Sequence, residues 1–437
     1  MSRSDRARLA AVAGLAATAM VAASCSSSSG TSGPAASAPG ITATTITIGS
    51  HQPLTGIAAP GYDEIAPASN AYFQYVNAHG GVYGRKIKYT YLNDQYNPAI
   101  TSTVVHQLVL KDNVFAIFNG LGTPTHLAVA PFLNTEHVPD VFVASGCECW
   151  NAPTTLPDTF GWQLDYIREG KILGNYIEQH FKGKRIGFFF QGDEFGQDGV
   201  KGLSDEIPKS QIVAQESYDP TNIKIAPQVA ALKAKGAQVV VSFSVPAFTA
   251  LLKLTMLGLK FNPQLVVSDV GSDPITLGGL LASFAKSKTA GFGNALTQGI
   301  ITDGYLPSLG SSNSWITLFK KIHDQYIPKL PFDGNVLYGL SVGYTFVQAM
   351  FKAGKNPTRQ SLIDAINAGL SQGASVAPYL YSATDHNGIS GAYIGTIENG
   401  VLVQMGGVLV TDDSATGPVT AYTAAQPPAP ASGIPPH

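Results

Sequence analysis

The chain has 437 residues, of which 13% are charged, and a formal net charge of −2. Such a neutral, charge-poor chain presents no positive field that would attract nucleic acid or anionic lipid, so neither is expected as a partner. The first predicted element is a secretion signal, because Arg3, Arg6 and Arg8 precede an apolar or small-residue run over 9–23. This run is shorter than the roughly 20 residues that cross a bilayer, which disfavours a transmembrane helix.

The run ends in the segment Val21-Ala22-Ala23-Ser24-Cys25, which resembles the bacterial lipobox, where a cysteine after small residues is acylated. Ordinary cleavage without lipid is the alternative. We therefore predict a signal peptide over 1–24, lipidation at Cys25 and a flexible tether over 25–43, which is too poor in bulky apolar residues to form a core. The similarly Ala- and Pro-rich segment 413–437 is predicted to be disordered.

Strands and helices alternate from residue 45 onward. In the first part of the chain, apolar runs and the alternation of apolar and polar residues predict strands over 46–49, 86–92, 114–118 and 141–144. They also predict helices over 65–77 and 98–111, and a third helix that follows residues 120–125 and ends at about residue 136. The same rhythm restarts after residue 160, with strands over 185–190, 212–216, 239–243 and 265–268 separated by helices over 168–181, 226–235 and 247–257. Helices over 315–326, 336–353 and 358–368 and a hairpin around Asn399-Gly400 follow.

This succession predicts an α/β protein with two Rossmann-like lobes, each built on a parallel sheet covered by helices. The chain crosses back from the second lobe near residues 300–305. Lobe 1 is predicted to comprise 44–162 plus 307–375, and lobe 2 to comprise 163–306 plus 376–412.

Ligands of open parallel sheets bind beyond the carboxyl ends of the strands, where helix N-termini present free N–H groups. Thr123 and Thr125 follow a predicted strand and begin a helix, which suits a carboxylate or another small acceptor-rich group; helix capping is the alternative. Phe195 follows a strand of the second lobe and is a candidate lid over a solute, with packing in the core of its own lobe as the alternative. Trp150 is a weaker candidate for the cleft wall.

Chemistry other than binding has little support in the sequence. Cys147 and Cys149 are predicted to form a disulfide in an exported protein, with a metal or redox pair or two free thiols as alternatives. The usual catalytic and phosphate-binding motifs are missing from the sequence, so we expect no enzyme activity, no cofactor and no metal. Four histidines of the first lobe are interpreted as scattered surface or capping residues: His51, His106, His126 and His137.

Three segments carry a resemblance to a known family. They are Ile46–Gly49 followed by Pro53-Leu54-Thr55-Gly56, the Asn-x-x-Gly-Gly-x-x-Gly pattern over 77–84, and Phe195–Gly199. With these segments, residues 44–412 resemble the branched-chain amino acid (Leu/Ile/Val-binding-like) substrate-binding lipoproteins of ABC importers. The resemblance implies the type I periplasmic-binding-protein fold, in which three hinge crossovers join the lobes and a solute is held between them.

The resemblance also implies ligand-binding positions. Matched residue by residue, and with Thr125 added from the helix start, they are Tyr62, Thr123, Thr125, Ala144, Ser145, Gly146, Phe195, Val245, Asp269 and Val270. The acidic residue that meets the ligand's ammonium group in the family aligns at Val270, so Asp269 would have to turn inward to replace it. The solute therefore stays open among amino acids, small organic acids and amides.

The expected function is that of an exported, monomeric solute-binding protein, anchored by lipid to the outer face of the bacterial plasma membrane. Its expected partners are a small solute and an ABC permease, and its membrane contact is through the lipid alone. An anchored ligand sensor with the same fold is the alternative, and an extracellular enzyme is the third hypothesis.

Overall fold

The computed structural model describes residues 38–289 and 291–437. The predicted signal peptide, the lipidation site Cys25 and most of the predicted tether lie outside these residues. Within the described part of the chain, none of the helices combines the length and apolar character that a membrane crossing requires.

A five-stranded parallel sheet forms the core of lobe 1. Its strands are β1 (Thr45–Gln52), β2 (Lys86–Asn93), β3 (Ile117–Phe118), β4 (Asp140–Val143) and β5 (Thr159–Gly161). Their order across the sheet is β2-β1-β3-β4-β5, and β1 pairs with β2 along its whole length. Every residue of β4 and β5 is buried, as expected for strands that are covered on both faces.

Lobe 2 contains an eight-stranded mixed sheet. Its strands are β6 (Ile186–Gln191), β7 (Ile212–Tyr218), β8 (Val239–Phe243), β9 (Gln264–Val267), β10 (Ile301–Gly304), β11 (Gly391–Glu398), β12 (Val401–Val410) and β13 (Thr420–Tyr422). The order across the sheet is β13-β12-β11-β10-β9-β8-β6-β7. Strands β6 to β10 are parallel, whereas β11, β12 and β13 continue the sheet in antiparallel pairs.

Helices cover both sheets. In chain order they are α1 (Ile65–Ala78), α2 (Pro98–His106), α3 (Thr123–Leu127), α4 (Ala130–Thr135), α5 (Tyr166–His180), α6 (Glu194–Glu206), α7 (Ala226–Ala234), α8 (Pro246–Gly258), α9 (Pro274–Phe284), α10 (Phe292–Thr297), α11 (Ser314–Tyr326), α12 (Gly334–Ala353) and α13 (Arg359–Asn367). The almost wholly buried α12 packs on α1, where the Ser69 hydroxyl donates to the Gly339 carbonyl.

Over residues 38–289 and 291–437, the chain passes between the lobes three times: from β5 to α5, from β10 to α11, and from α13 to β11. The predicted architecture of two α/β lobes with parallel-sheet cores is therefore present. These crossings place the carboxyl ends of the lobe 1 strands opposite those of lobe 2.

The prediction that residues 413–437 are disordered is wrong. Strand β13 extends the lobe 2 sheet, and the following residues lie on lobe 1. There the Trp315 indole N–H donates to the Pro427 carbonyl at 2.8 Å, and the hydroxyls of Tyr72 and Tyr75 donate to the carbonyls of Gly433 and Ser432. The composition of the tail shows how few apolar groups it carries, but it does not show the buried donors that lobe 1 offers to its backbone. At the other end, Ile41 of the predicted tether is also buried.

Helices α5 and α6 cross at unusually short distance because glycine occupies the contact. A methyl group at Gly202 would lie 2.1 Å from the carbonyl oxygen of Ile167. We expect Gly202→Ala to lower the free energy of unfolding by about 1–3 kcal/mol, since the helices must separate, as measured by urea denaturation. Gly279→Ala is the matched control, because a methyl group on this exposed residue of α9 meets no atom within 4 Å. It should leave stability unchanged or raise it by about 1 kcal/mol. Equal stability of the two variants would contradict the close crossing.

Candidate functional site

A cavity of about 410 Å³ lies between the two lobes, at the carboxyl ends of both sheets. Seven of the ten predicted ligand-binding residues line it: Tyr62, Thr123, Ala144, Phe195, Val245, Asp269 and Val270. The lining also includes several aromatic residues that sequence reasoning missed: Tyr96, Tyr166, Tyr305, Phe332, Tyr338 and Tyr393. An aromatic-rich wall with a few polar groups is typical of small-molecule sites.

The other three predicted residues do not line the cavity. The Thr125 hydroxyl donates to the carbonyls of Leu121 and Gly122, which is local bonding at a helix start. Ser145 is buried behind the wall, with its hydroxyl 2.7 Å from that of Thr123. Gly146 accepts a hydrogen bond at 2.7 Å from the first N–H of α5, so its backbone holds the helix rather than facing the open space.

Direct hydrogen bonds join the two lobes around the cavity. The Tyr62 hydroxyl of lobe 1 donates to the Val270 carbonyl of lobe 2 at 2.8 Å. On another side, the Gln191 side-chain amide donates to the Tyr96 hydroxyl at 3.2 Å. The Asp273 carboxylate accepts the N–H of Gly334 at 2.9 Å. Because these contacts span the cleft, the structure shows the lobes closed over the cavity.

Three carboxyl groups gather at the lobe 2 side of the cavity. The N–H of Asp269 donates to Glu169 Oε1 at 2.9 Å and to Asp303 Oδ1 at 3.1 Å. Burial, followed by the negative charge of a neighbouring acid, raises the pKa of each of the three carboxyls. Their oxygens lie within 4.8 Å of one another, so the cluster could accept a cation or the donors of an amine.

Sequence reasoning found Asp269 of this cluster and missed the other two acids. Asp303 lies on β10. An isolated acidic residue in a strand that leads to a crossover between the lobes is a sequence feature that indicates a site residue. Glu169 lies in the first turn of α5, where an acid near a helix N-terminus is usually interpreted as a favourable dipole contact at the surface. Its burial depends on the packing of α5 against the lobe 2 sheet, which the local sequence does not show.

Tyr166, the first residue of α5, lines the cavity next to Thr123, Ser145 and Gly146 of lobe 1. We call this part of the wall the polar corner. The ring of Tyr166 packs against Phe195 with centroids 4.7 Å apart. Its ring also lies against Gly146, on which a methyl group would be 2.9 Å from Tyr166 Cδ1. Burial raises the pKa of the Tyr166 hydroxyl, and the neighbouring backbone of Gly146 and hydroxyls of Ser145 and Thr123 oppose this rise. Phe195 therefore lines the cavity and also packs against a neighbouring ring, and its role as a lid over a solute stays a prediction.

Two histidines beneath this wall form a buried chain, so their interpretation as scattered surface residues is wrong. His51 Nδ1 lies 2.7 Å from Asp94 Oδ2, and His51 Nε2 lies 2.8 Å from His126 Nδ1. His126 Nε2 in turn lies 2.8 Å from Asp140 Oδ2. The pair supports the loop that carries Thr123, because both rings lie directly under Gly120, on which a methyl group would be 2.5 Å from His51 Nε2.

The segment Cys147–Trp150 lies beside these hydrogen-bonded histidines. Cys147 and Cys149 form a disulfide in the structure. Trp150 is buried, and its ring meets that of His126 edge-to-face with centroids 5.1 Å apart. It therefore supports the histidine chain from behind and does not line the cavity.

Asp198 on α6 joins the lobes at the edge of the cleft, where its carboxylate accepts the N–H of Glu148 at 3.0 Å. Burial raises the pKa of Asp198 to about 6. A carboxyl whose folded pKa is raised contributes stability below its unfolded pKa, near 3.8, and this stability is lost as the pH rises through about 6. When the pH rises from about 4 to about 7, the free energy of unfolding of the wild type should fall by about 1–3 kcal/mol more than that of Asp198→Asn. Urea denaturation at both pH values measures this, and equal losses would contradict it.

Comparison with known proteins identifies the family. The model of the family described as "Periplasmic binding protein" matches residues 45–401. The chain belongs to this family. Membership confirms the resemblance seen in the sequence and the prediction that the protein is a binding protein rather than an enzyme. A periplasmic binding protein works outside the cytoplasm, which confirms the extracytoplasmic part of the predicted location.

Individual relatives are more distant. The chain is similar to the Leu/Ile/Val-binding protein homolog 3 of Brucella melitensis, at 25% identity over 205 residues. The alignment covers 45% of this chain and 53% of that protein, so the chain spans about half the length of this curated relative.

Solved structures of periplasmic binding proteins share the fold. A possible leucine/isoleucine/valine-binding protein from Rhodopirellula baltica matches with a TM-score of 0.73 at 21% identity, covering 83% of this chain and 96% of that chain. A branched chain amino acid ABC transporter protein from Thermus thermophilus with bound valine matches with a TM-score of 0.71 at 18% identity, covering 85% and 97%. A fatty acid ABC transporter substrate-binding protein from Thermomonospora curvata matches with a TM-score of 0.71 at 21% identity, covering 84% and 93%. At such identities, the matches establish the two-lobed fold of this chain.

Proposed function

We propose that this periplasmic binding protein captures a small polar or amphipathic solute in the cavity between its lobes and delivers it to an ABC permease. The observation that carries the proposal is the cavity itself, which draws its lining from both lobes and is closed by hydrogen bonds between them. A site shared by two lobes exists only when the lobes meet, so occupancy and closure are coupled. The names of the similar structures, which refer to valine and fatty acid, support a solute with an apolar body.

Closure of the lobes makes the loaded form different in shape from the open form, and the permease can recognise this difference. Tyr62 and Val270 meet only across the closed cleft, so opening about the three crossovers separates them and exposes the cavity. A solute that contacts both walls stabilises the closed form by the difference between its affinities for the two forms. Docking of the closed form on a permease then selects loaded protein over empty protein.

A ligand screen tests the proposal. The full-length protein is unfolded and refolded to remove any co-purified solute, and its thermal unfolding is followed with amino acids, small acids, amides, amines and sugars. At a concentration one hundred times its Kd, a true solute stabilises the protein by about 2.7 kcal/mol, and calorimetry should then show one solute per chain. The absence of stabilisation by every class would count against a solute-binding function.

We propose further that Cys25 carries the lipid that anchors the protein to the outer face of the plasma membrane. The lipobox-like segment before this cysteine supports the anchor. Expressed in a bacterium that exports it, the wild type should fractionate with membranes, and Cys25→Ser should appear in the soluble extracellular or periplasmic fraction. Equal distribution of the two proteins would remove the case for the lipid.

A further inference from the structure

The polar groups that line the cavity restrict which polar group its solute can carry. This inference rests on the proposed function. Hydrogen-bond donors converge at the lobe 1 corner, where the backbone of Gly146 and the hydroxyls of Ser145 and Thr123 meet. Such a cluster of donors suits a carboxylate. Here, however, the ring of Tyr166 fills this corner, because a methyl group on Gly146 would lie 2.9 Å from Tyr166 Cδ1. The protein therefore fills with its own side chain the position that a carboxylate would need.

The opposite wall carries carboxyl groups beside the hydroxyls of Ser272, Tyr305 and Tyr393. Asp303 lines the cavity and is 1% exposed, and its Oδ2 atom has no hydrogen-bond partner within residues 38–289 and 291–437. Glu169, which is also 1% exposed, does not line the cavity but lies behind Asp269, whose N–H donates to its Oε1 atom. Asp269 and Asp273 add two more carboxyl groups to the lining. Because buried acceptors are costly without donors, a solute that fits this wall must bring N–H or O–H groups.

Positive charge is scarce around the cavity. Lys320 is the one basic side chain among the described residues that line it. Lys320 is about half exposed and already forms an ion pair with Asp324 on its own helix. A solute carboxylate placed in the cavity would therefore face several acids without a cation to balance them, which is unfavourable in a buried site.

The remaining wall, away from the acids, is apolar. It includes Leu306, Pro307, Leu309, Phe332, Val401 and Leu402. Together with the cavity volume of about 410 Å³, this wall accommodates a hydrocarbon or aromatic body.

We propose that the solute is an amine with an apolar body and no carboxylate group. Its ammonium group lies against Asp269 and Asp303, and its body lies along the apolar wall. The ring of Tyr166 excludes α-amino acids because it fills the corner in which their carboxylate would meet the donors. Tyr166 is thus a residue that determines specificity.

Matched sets of compounds test this assignment by isothermal titration calorimetry on the refolded full-length protein. Each set contains an amino acid, the amine without its carboxylate and the acid without its amino group. The three sets are leucine, isoamylamine and isocaproate; phenylalanine, phenethylamine and hydrocinnamate; and tryptophan, tryptamine and indolepropionate. In at least one set the amine should bind at least tenfold more tightly than its two partners.

The outcomes separate this inference from the proposed function. If some of these compounds bind but in no set does the amine bind at least tenfold more tightly than both of its partners, the amine assignment is overturned and solute binding stays in place. The same holds if none of the nine compounds binds but another class from the broad screen does. Failure of every class overturns both proposals.

Two substitutions and one matched control locate the effect. Tyr166→Ser frees the donors of Gly146, Ser145 and Thr123, so amino acid affinity should rise at least tenfold. Tyr166→Phe is the matched control, because its ring still fills the corner and amino acids should gain nothing. Asp303→Asn keeps the shape of the side chain and should weaken amine binding at least tenfold. If Tyr166→Ser fails to fold, as judged by thermal unfolding, the result with Asp303→Asn decides: amine affinity equal to that of the wild type overturns the proposal.

Discussion

Replacing His126 by alanine should lower the free energy of unfolding by about 3–5 kcal/mol, because it leaves the buried carboxylate of Asp140 without its histidine partner. The carboxylate of Asp140, which is 1% exposed, would lose its histidine partner and retain the Thr159 hydroxyl. His51 would lose the partner of its Nε2 atom in the same step. Urea denaturation measures the effect, and the loop that carries Thr123 should lose order because the ring beneath it is gone.

His137→Ala is the matched control for this prediction. His137 also faces a carboxylate, that of Asp158 at 3.4 Å, but its side chain is 84% exposed. Exposed ion pairs contribute about 0–1 kcal/mol, so this variant should resemble the wild type. If the two alanine variants unfold at the same urea concentration, the buried chain does not contribute to stability as we describe.

Removal of residues 423–437 should cost about 3–6 kcal/mol of stability, although the composition of this segment predicts disorder. Three buried donors, on Trp315, Tyr72 and Tyr75, would lose their carbonyl partners, at roughly 1 kcal/mol for each hydrogen bond. The Trp315 ring, which is 1% exposed, would also meet water. The midpoint of urea unfolding should fall accordingly.

A shorter truncation provides the control. Removal of residues 435–437 keeps all three hydrogen bonds and loses the stacking of His437 on Phe351, whose ring centroids are 3.9 Å apart. This contact contributes about 1 kcal/mol or less. Equal loss in the two truncations, or no loss in the longer one, would mean that the tail does not pack on lobe 1.

The sequence predicted the fold well where local patterns are strong. Strand β8 matches its predicted bounds because Val239–Phe243 is an apolar run between clear breaks. Strand β5 was missed, since Thr159–Gly161 is three residues long and carries no periodicity. The tail was misjudged for a different reason: its order comes from donors located far away in the chain, such as that of Trp315.

The candidate site was partly predictable for the same physical reason. Thr123, Ala144 and Asp269 lie just beyond strand ends, and the geometry of parallel sheets brings such positions together. Tyr166 and Asp303 were missed because their positions depend on how α5 and β10 meet at the crossovers. The closure of the lobes, which pairs Tyr62 with Val270, is likewise a tertiary property.

The most direct test of solute capture between the lobes is a crystal structure of the protein with a solute found in the ligand screen. We predict electron density for the solute between Tyr62 and Thr123 on one side and Asp269 and Asp303 on the other, with the lobes closed. A solute bound outside this cavity, or a cavity filled by the protein's own side chains while the solute is bound, would contradict the account.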